Sequence, residues 1–108
     1  MARVLSRGEV WWYRFKPPDK RRPVVILSRD EAIGALNTVL VAPVTSTIRD
    51  LPSQVVIGER EGLEHDSAIS LDHVQCVEQS RLIGRLGRLS PAQLREVCAA
   101  LLFAAGCG

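Results

Sequence analysis

The feature that most constrains this 108-residue chain is the place of its clearest helix signal, which comes only after residue 89. Ser90 reads as an N-cap, Gln93 three positions later completes a capping box, and Pro91 stands at the first helical position. Leu89 and Leu94 are spaced as a hydrophobic staple, and Leu94, Val97, Cys98, Leu101 and Ala105 repeat as one apolar stripe that Gly106 ends. Cys98 on that stripe reads as a small core residue. Upstream the pattern is of short segments, so strands must supply most of the core.

Residues 8–15 are aromatic-rich without a helix cap and predict a strand, followed by a loop in which Pro17, Pro18 and Asp19 run into a basic cluster. Residues 23–28 are a β-branched run opening on proline, where a strand tolerates the missing N–H. Further strands fit 38–44 and 54–57, and residues 66–79 alternate as one bent strand or two short ones around Asp72. Residues 81–89 form a last strand, with Gly84 and Gly87 predicting a bulge or barrel corner. Six or seven short strands and one terminal helix imply one globular domain over residues 1–108, a small, strongly curved β-barrel with a helix packed on it.

Composition narrows the functional classes. No apolar run approaches the ~20 residues needed to span a bilayer, and charge interrupts the N-terminus before a signal-peptide core forms, so a soluble, cytoplasmic protein is expected. Cys76, Cys98 and Cys107 form neither an even set nor a CxxC pair, which suits a reducing compartment.

The net charge of +2 hides segregation: residues 1–30 carry eight basic residues against three acids, whereas residues 50–78 carry seven acids against Arg60. Twelve of the 14 basic residues are arginine, whose planar fork suits phosphate. A local cationic face is therefore compatible with a near-neutral protein.

Nucleotide-binding glycine motifs, HExxH and GxSxG are absent, which removes support for nucleotide cofactors, zinc proteolysis and the α/β-hydrolase elbow. His65, His73 and Cys76 are a poor metal set, because His73 and Cys76 would face opposite sides of one regular strand. No metal or cofactor is expected. What remains is a basic loop, Lys20-Arg21-Arg22, leading into a strand at Pro23, and a hydroxyl cluster, Thr45-Ser46-Thr47, at the end of another. Guanidinium forks and hydroxyls together make a plausible phosphate site, although a solvated turn and a strand-terminal threonine explain the same residues.

Seven short pieces in order give the chain a further character. They are Arg7-Gly8-Glu9-Val10-Trp11-Trp12, Arg22-Pro23-Val24-Val25-Ile26-Leu27-Ser28, Ala42-Pro43-Val44-Thr45-Ser46, Leu51-Pro52, Gly62-Leu63, Asp66-Ser67 and the stretch Arg81 to Ser90. With these the chain resembles the MazF/PemK family of bacterial toxins over nearly its whole length. The resemblance implies an SH3-like barrel of the plasmid-maintenance-toxin type and a homodimer. It also implies a metal-independent endoribonuclease cutting single-stranded RNA at short sequence motifs, and an antitoxin whose acidic, partly disordered tail blocks the RNA groove.

Carried over by position, the resemblance makes Arg22 and Thr45 the catalytic pair for attack of the RNA 2′-hydroxyl on phosphorus. Lys20 and Arg21 would hold the RNA backbone, and Ser46, Thr47, Asp72 and His73 would lie along the RNA. His73 departs from the family pattern, which more often has Gln. It either reads a base edge, assists proton transfer or simply faces the antitoxin groove. Trp11 and Trp12 point to opposite faces of one strand, so one enters the core and the other is exposed. A non-catalytic relative, such as a gyrase poison of the same barrel or a degenerate RNA binder, is the alternative. The tail Gly106-Cys107-Gly108 lacks the bulky anchor that a gyrase poison needs.

Overall fold

The computed structural model describes residues 5–16 and 20–106. Pro17, Pro18 and Asp19 of the basic loop, and the tail residues Cys107 and Gly108, lie outside the described residues. Among the described residues there are seven strands: β1 (Glu9–Arg14), β2 (Arg21–Ile26), β3 (Thr38–Thr45), β4 (Gln54–Ile57), β5 (Ser67–Ser70), β6 (Gln75–Glu78) and β7 (Leu82–Arg88). Two α-helices accompany them, α1 (Asp30–Ala35) and α2 (Pro91–Ala105). The strands pair antiparallel in the order β4-β5-β3-β2-β1-β7, with β6 on β3. The eight-residue β3 is the hub: its first half pairs with β6, its last two residues with β5, and its middle with β2.

The apolar run of β2 is continuous because both of its faces are covered. Val25 and Leu27 join a core with Val10, Ala42, Val44, Ile69 and α2, whereas Val24 and Ile26 join a second core with Trp11, Tyr13, Val39, Val41 and Ile33 of α1. Val24, Val25 and Ile26 are wholly buried, each contributing about 1.5–3 kcal/mol. Trp11 is thus the buried tryptophan, and Trp12 is half-exposed.

The glycines of the last strand do what the sequence predicts. Relative to β1, β7 carries two extra residues: Trp11 pairs with Arg85 after Val10 pairs with Gly87, and Tyr13 pairs with Leu82 after Trp12 pairs with Gly84. Two bulges within seven residues bend the strand sharply. The bend brings β7 against the one-turn 3₁₀ helix Glu59–Glu61 that follows β4, across the gap between the two end strands of the ladder. Contact there is backbone on backbone. A Cβ at Gly62 (φ +92°) would overlap the Leu86 carbonyl, and a Cβ at Gly87 would overlap that of Glu61. Glycine at both positions lets the barrel close.

The α2 cap forms as expected: Ser90 Oγ accepts from the Gln93 N–H at 3.1 Å and Gln93 Oε1 accepts from the Ser90 N–H at 2.8 Å. The buried stripe is rotated slightly from the predicted one. Val97 and Ala100 are buried, with Leu94, Leu101 and Ala104 packed on them, while Ala105 is exposed and Cys98 half-buried beside Arg7 at 3.0 Å. Periodicity fixes a helical face only to within about one residue, and packing chose Ala100 and Ala104.

Two details depart from expectation, and a third decides between alternatives left open by the sequence. Helix α1 has no sequence signature, because its N-cap position, Arg29, provides no side-chain cap and Gly34 lies inside it. It is secured by burial of Ile33 and by Gln79 Nε2, which donates to the carbonyls of Ile33, Leu36 and Thr38. Residues 66–79 resolve into two strands, β5 and β6, separated by the one-turn 3₁₀ helix Leu71–His73. Finally, Arg21 and Arg22 are not loop residues but the first two residues of β2, opposite Arg14 and Tyr13 of β1.

Candidate nucleic-acid interface

Pairing of β2 with β3 follows Val24 to Pro43, Val25 to Ala42 and Ile26 to Val41. Carried two residues further, that register places Arg22 across from Thr45, where both strands reach the barrel rim. Arg22, Val44 and Thr45 are shared by two clefts, one on either side. The first, of about 430 Å³, is lined by Phe15, Thr47, Arg49, Gln54, Ser70, Asp72, His73 and Gln75 among others. The second, of about 610 Å³, is lined by Trp12, Arg21, Ser46, Leu63, Glu64, His65, Ser67 and Leu86 among others. Arg22 and Thr45 therefore sit on the divide of one bipartite groove.

Local bonding sets the chemistry of this divide. Thr45 Oγ1 accepts from the Thr47 N–H at 3.1 Å, which leaves its own hydrogen to be donated into the groove. Gln54 anchors the loop after β3: its Oε1 accepts from the Arg49 N–H at 2.8 Å and its Nε2 donates to the Thr47 carbonyl at 3.3 Å. The 3₁₀ turn in the first cleft is pinned twice. The Ser53 hydroxyl donates to Asp72 Oδ2, and Ser70 Oγ lies 2.8 Å from His73 Nδ1. In the second cleft the Arg21 guanidinium stacks 4.8 Å above the Trp12 ring, a cation–π contact that presents a flat charged surface.

Beneath the rim, Glu9 ties β1 to β7. Its Oε1 accepts from Trp11 Nε1 (3.1 Å) and the Ser6 N–H (2.9 Å), and its Oε2 from Arg85 (3.0 Å). Burial pushes this carboxyl up, but the bonds from Trp11, Ser6 and Arg85, with the Arg85 charge, outweigh it and hold the carboxyl below its usual range.

Of the residues singled out from sequence, Arg22 and Thr45 come together on the divide. Arg21 and Ser46 fall in the second cleft, and Thr47, Asp72 and His73 in the first. Lys20 lines neither and is solvent-exposed just before β2. The structure adds Arg49, Gln54 and Gln75 to the first cleft, and His65 and Ser67 to the second. The signal for Arg49 was its place four residues after Thr45, but loops have no periodicity, and only the Gln54 clamp shows where it goes. Among the described residues no group of three His, Cys, Asp or Glu side chains could hold a metal ion. Nor is any helix among them long and apolar enough to cross a membrane.

Residues 6–104 match the family model described as PemK-like, MazF-like toxin of type II toxin–antitoxin systems. The chain belongs to this toxin family. It is 45% identical, over 99% of its own length and 98% of the relative's, to a protein of Mycobacterium tuberculosis H37Rv named probable endoribonuclease MazF5. Among solved structures it is similar to the Mycobacterium tuberculosis toxin MazF-mt6, with a TM-score of 0.86, 30% identity, and coverage of 93% of this chain and 98% of that one. It is also similar to a chain of a MazE–MazF crystal structure from Deinococcus radiodurans, with a TM-score of 0.83 and 25% identity, covering 98% and 100% of the two chains. In this chain β2 and β3 run side by side, and the Arg22–Thr45 divide lies at the end of that pair.

Proposed function

We propose that this PemK/MazF toxin is an endoribonuclease that cleaves single-stranded RNA in the groove divided by Arg22 and Thr45. The observation that carries the reading is that a guanidinium and a hydroxyl donor meet on the ridge between two clefts. A strand laid along the groove has one phosphate on that ridge and bases on either side. In the proposed reaction the 2′-hydroxyl passes its proton to water and its oxygen forms a bond to phosphorus as the bond to the 5′-oxygen breaks and that oxygen takes up a proton, giving a 2′,3′-cyclic phosphate and a 5′-hydroxyl. Negative charge builds on the non-bridging oxygens, and the rim supplies donors for it: the Arg22 fork and the Thr45 hydroxyl.

Arg22 acts here through its charge, because a guanidinium is already protonated at neutral pH and cannot serve as a general base. Proton donation to the leaving 5′-oxygen is its second role. Arg21 stacked on Trp12, with Ser46, would hold the chain on one side. Thr47, Asp72 and His73 would meet base edges on the other, giving sequence preference. This chemistry calls on no metal ion. The reading extends to a homodimer acting in the cytoplasm and to an acidic, partly disordered antitoxin tail that folds over the same groove.

Pooled single-stranded RNA in EDTA, with mapping of the new ends and a 2′-deoxy substitution at the preferred site, tests the proposal. Cleavage in EDTA to cyclic-phosphate ends, abolished by the deoxy substitution and by Arg22→Ala, is the expected result. Cleavage that survives the deoxy substitution overturns the nucleophile, loss in EDTA overturns metal independence, and full activity of Arg22→Ala overturns the site. RNA or antitoxin binding with no cleavage at all identifies a degenerate member of the family.

A further inference from the structure

The second cleft does not end at the barrel seam. Its lining includes Gly62 and Leu86, and close neighbours along the same turn and strand, Glu61 and Arg88, line an adjoining shallow basin of about 820 Å³. Arg7, Arg60 and Arg88 converge on that basin from three separate parts of the chain. The single carboxylate in its lining, Glu61, is buried, with Oε1 accepting from the Gly58 N–H at 2.8 Å. Among the described residues neither Arg60 nor Arg88 has a carboxylate within ion-pair distance, and the ion pair found among them joins Arg85 to Glu9, neither of which lines the basin. Ser90 and Gln93 on the basin edge are committed to the α2 capping box, so the arginines carry its charge.

Three exposed arginines face one concavity, and none of them is in an ion pair among the described residues. The acids nearest them lie outside the basin, Asp30 accepting from the Arg7 N–H and Glu59 and Glu64 lining the next hollow beyond Arg60. The geometry points to a nucleic-acid phosphate site: Arg7, Arg60 and Arg88 hold the backbone of the RNA strand after it crosses the Gly62–Leu86 seam from the second cleft. The inference rests on the reading of the groove as an RNA site and extends its path beyond the scissile phosphate. RNA is favoured over an acidic peptide because the basin continues the cleft that begins at Arg22, so one strand reaches both. Substrate grip here depends on length. An RNA of about 4–6 nucleotides fills the groove alone, whereas one of about 16 nucleotides reaches the basin as well.

The test compares Arg60→Gln/Arg88→Gln with wild type on two RNAs sharing one preferred site, of ~6 and ~16 nucleotides. The variant is expected to raise KM for the long RNA about tenfold, with kcat held, and to bring it to the KM of the short one. The salt dependence of long-RNA binding should flatten by about 1.4 in log–log slope for the two lost phosphate contacts. Arg60→Lys/Arg88→Lys, which keeps the charges, should recover most of the affinity and shows that loss in the first variant is not misfolding. An unchanged ratio of long to short KM in the glutamine variant overturns the inference. So does a variant that handles both RNAs as wild type does but loses affinity for poly-glutamate, an outcome that makes the basin a peptide site. Failure of the wild type to cut either RNA refutes the groove reading itself, and is distinguished from these.

Discussion

Replacing Gly62 with alanine tests how the barrel is closed. At φ +92° an L-residue is strained by about 1–3 kcal/mol, and the new Cβ would overlap the Leu86 carbonyl, which has no flexible side chain to swing aside. Moving that backbone adds about 1–3 kcal/mol by analogy with overpacking, so the total is about 2–6 kcal/mol. A domain of this size is stable by about 5–15 kcal/mol, and each kilocalorie moves its melting temperature by roughly 4 °C. Gly62→Ala should therefore melt about 8–24 °C below wild type.

Gly34 supplies the internal control. It lies inside α1, a Cβ placed on it would have nothing within 4 Å, and its φ is not positive, so Gly34→Ala should stabilise by about 0.4–1 kcal/mol. Thermal melts followed by circular dichroism, with urea titrations to confirm two-state behaviour, measure both changes. If Gly62→Ala and Gly34→Ala melt within a degree or two of one another, the seam is not closed by backbone contact and the reasoning fails. Gly87→Ala should resemble Gly62→Ala, because its Cβ would meet the Glu61 carbonyl from the other side.

Glu9 makes stability depend on pH. Its folded carboxyl titrates below the usual value of 4.5, so the stability it supplies is present above that value and is lost as pH falls through the folded pKa. Glu9→Gln should cost about 1–3 kcal/mol at pH 7 and progressively less below pH ~4.5 in urea melts, with little of it owed to the mostly exposed Arg85; a cost that is flat with pH would refute the assignment. Ser90→Ala should cost about 1 kcal/mol by loss of the α2 cap, read as a shifted urea midpoint at unchanged slope. Arg22→Ala should lower RNA cleavage by about 10²–10³, and Arg22→Lys should recover only part of it because a point charge cannot bond two oxygens at once. Trp12→Ala should weaken RNA binding by about 1–3 kcal/mol through loss of one stacking surface, measured by fluorescence anisotropy at fixed salt.

What was readable in the sequence were features with a local cause. The α2 cap needs only Ser90, Pro91 and Gln93, and the bend of β7 follows from Gly84 and Gly87. The short β-branched segments predict strands wherever they are placed. Arg22 and Thr45 are singled out as a pair only by resemblance, since their local residue types alone favour a solvated turn and a strand end. Helix α1 was invisible because its stability comes from Ile33 and from Gln79, more than 40 residues away. The exposed faces of the β1 tryptophans were open in the sequence as well, since alternation separates Trp11 from Trp12 but does not say which faces the core.

The sequence by itself determined a strand-rich chain ending in one capped helix, and a supply of arginine forks and hydroxyls of the type that suits phosphate. Only the tertiary structure decided that Arg21 and Arg22 are strand residues and that Trp11 is the buried one. It also brought Arg49 into the groove and gathered Arg7, Arg60 and Arg88 beside the seam. The physical reason is sequence distance. Caps, turns and bulges depend on neighbours a few residues apart, whereas a groove is made by strands that meet only after the barrel has closed.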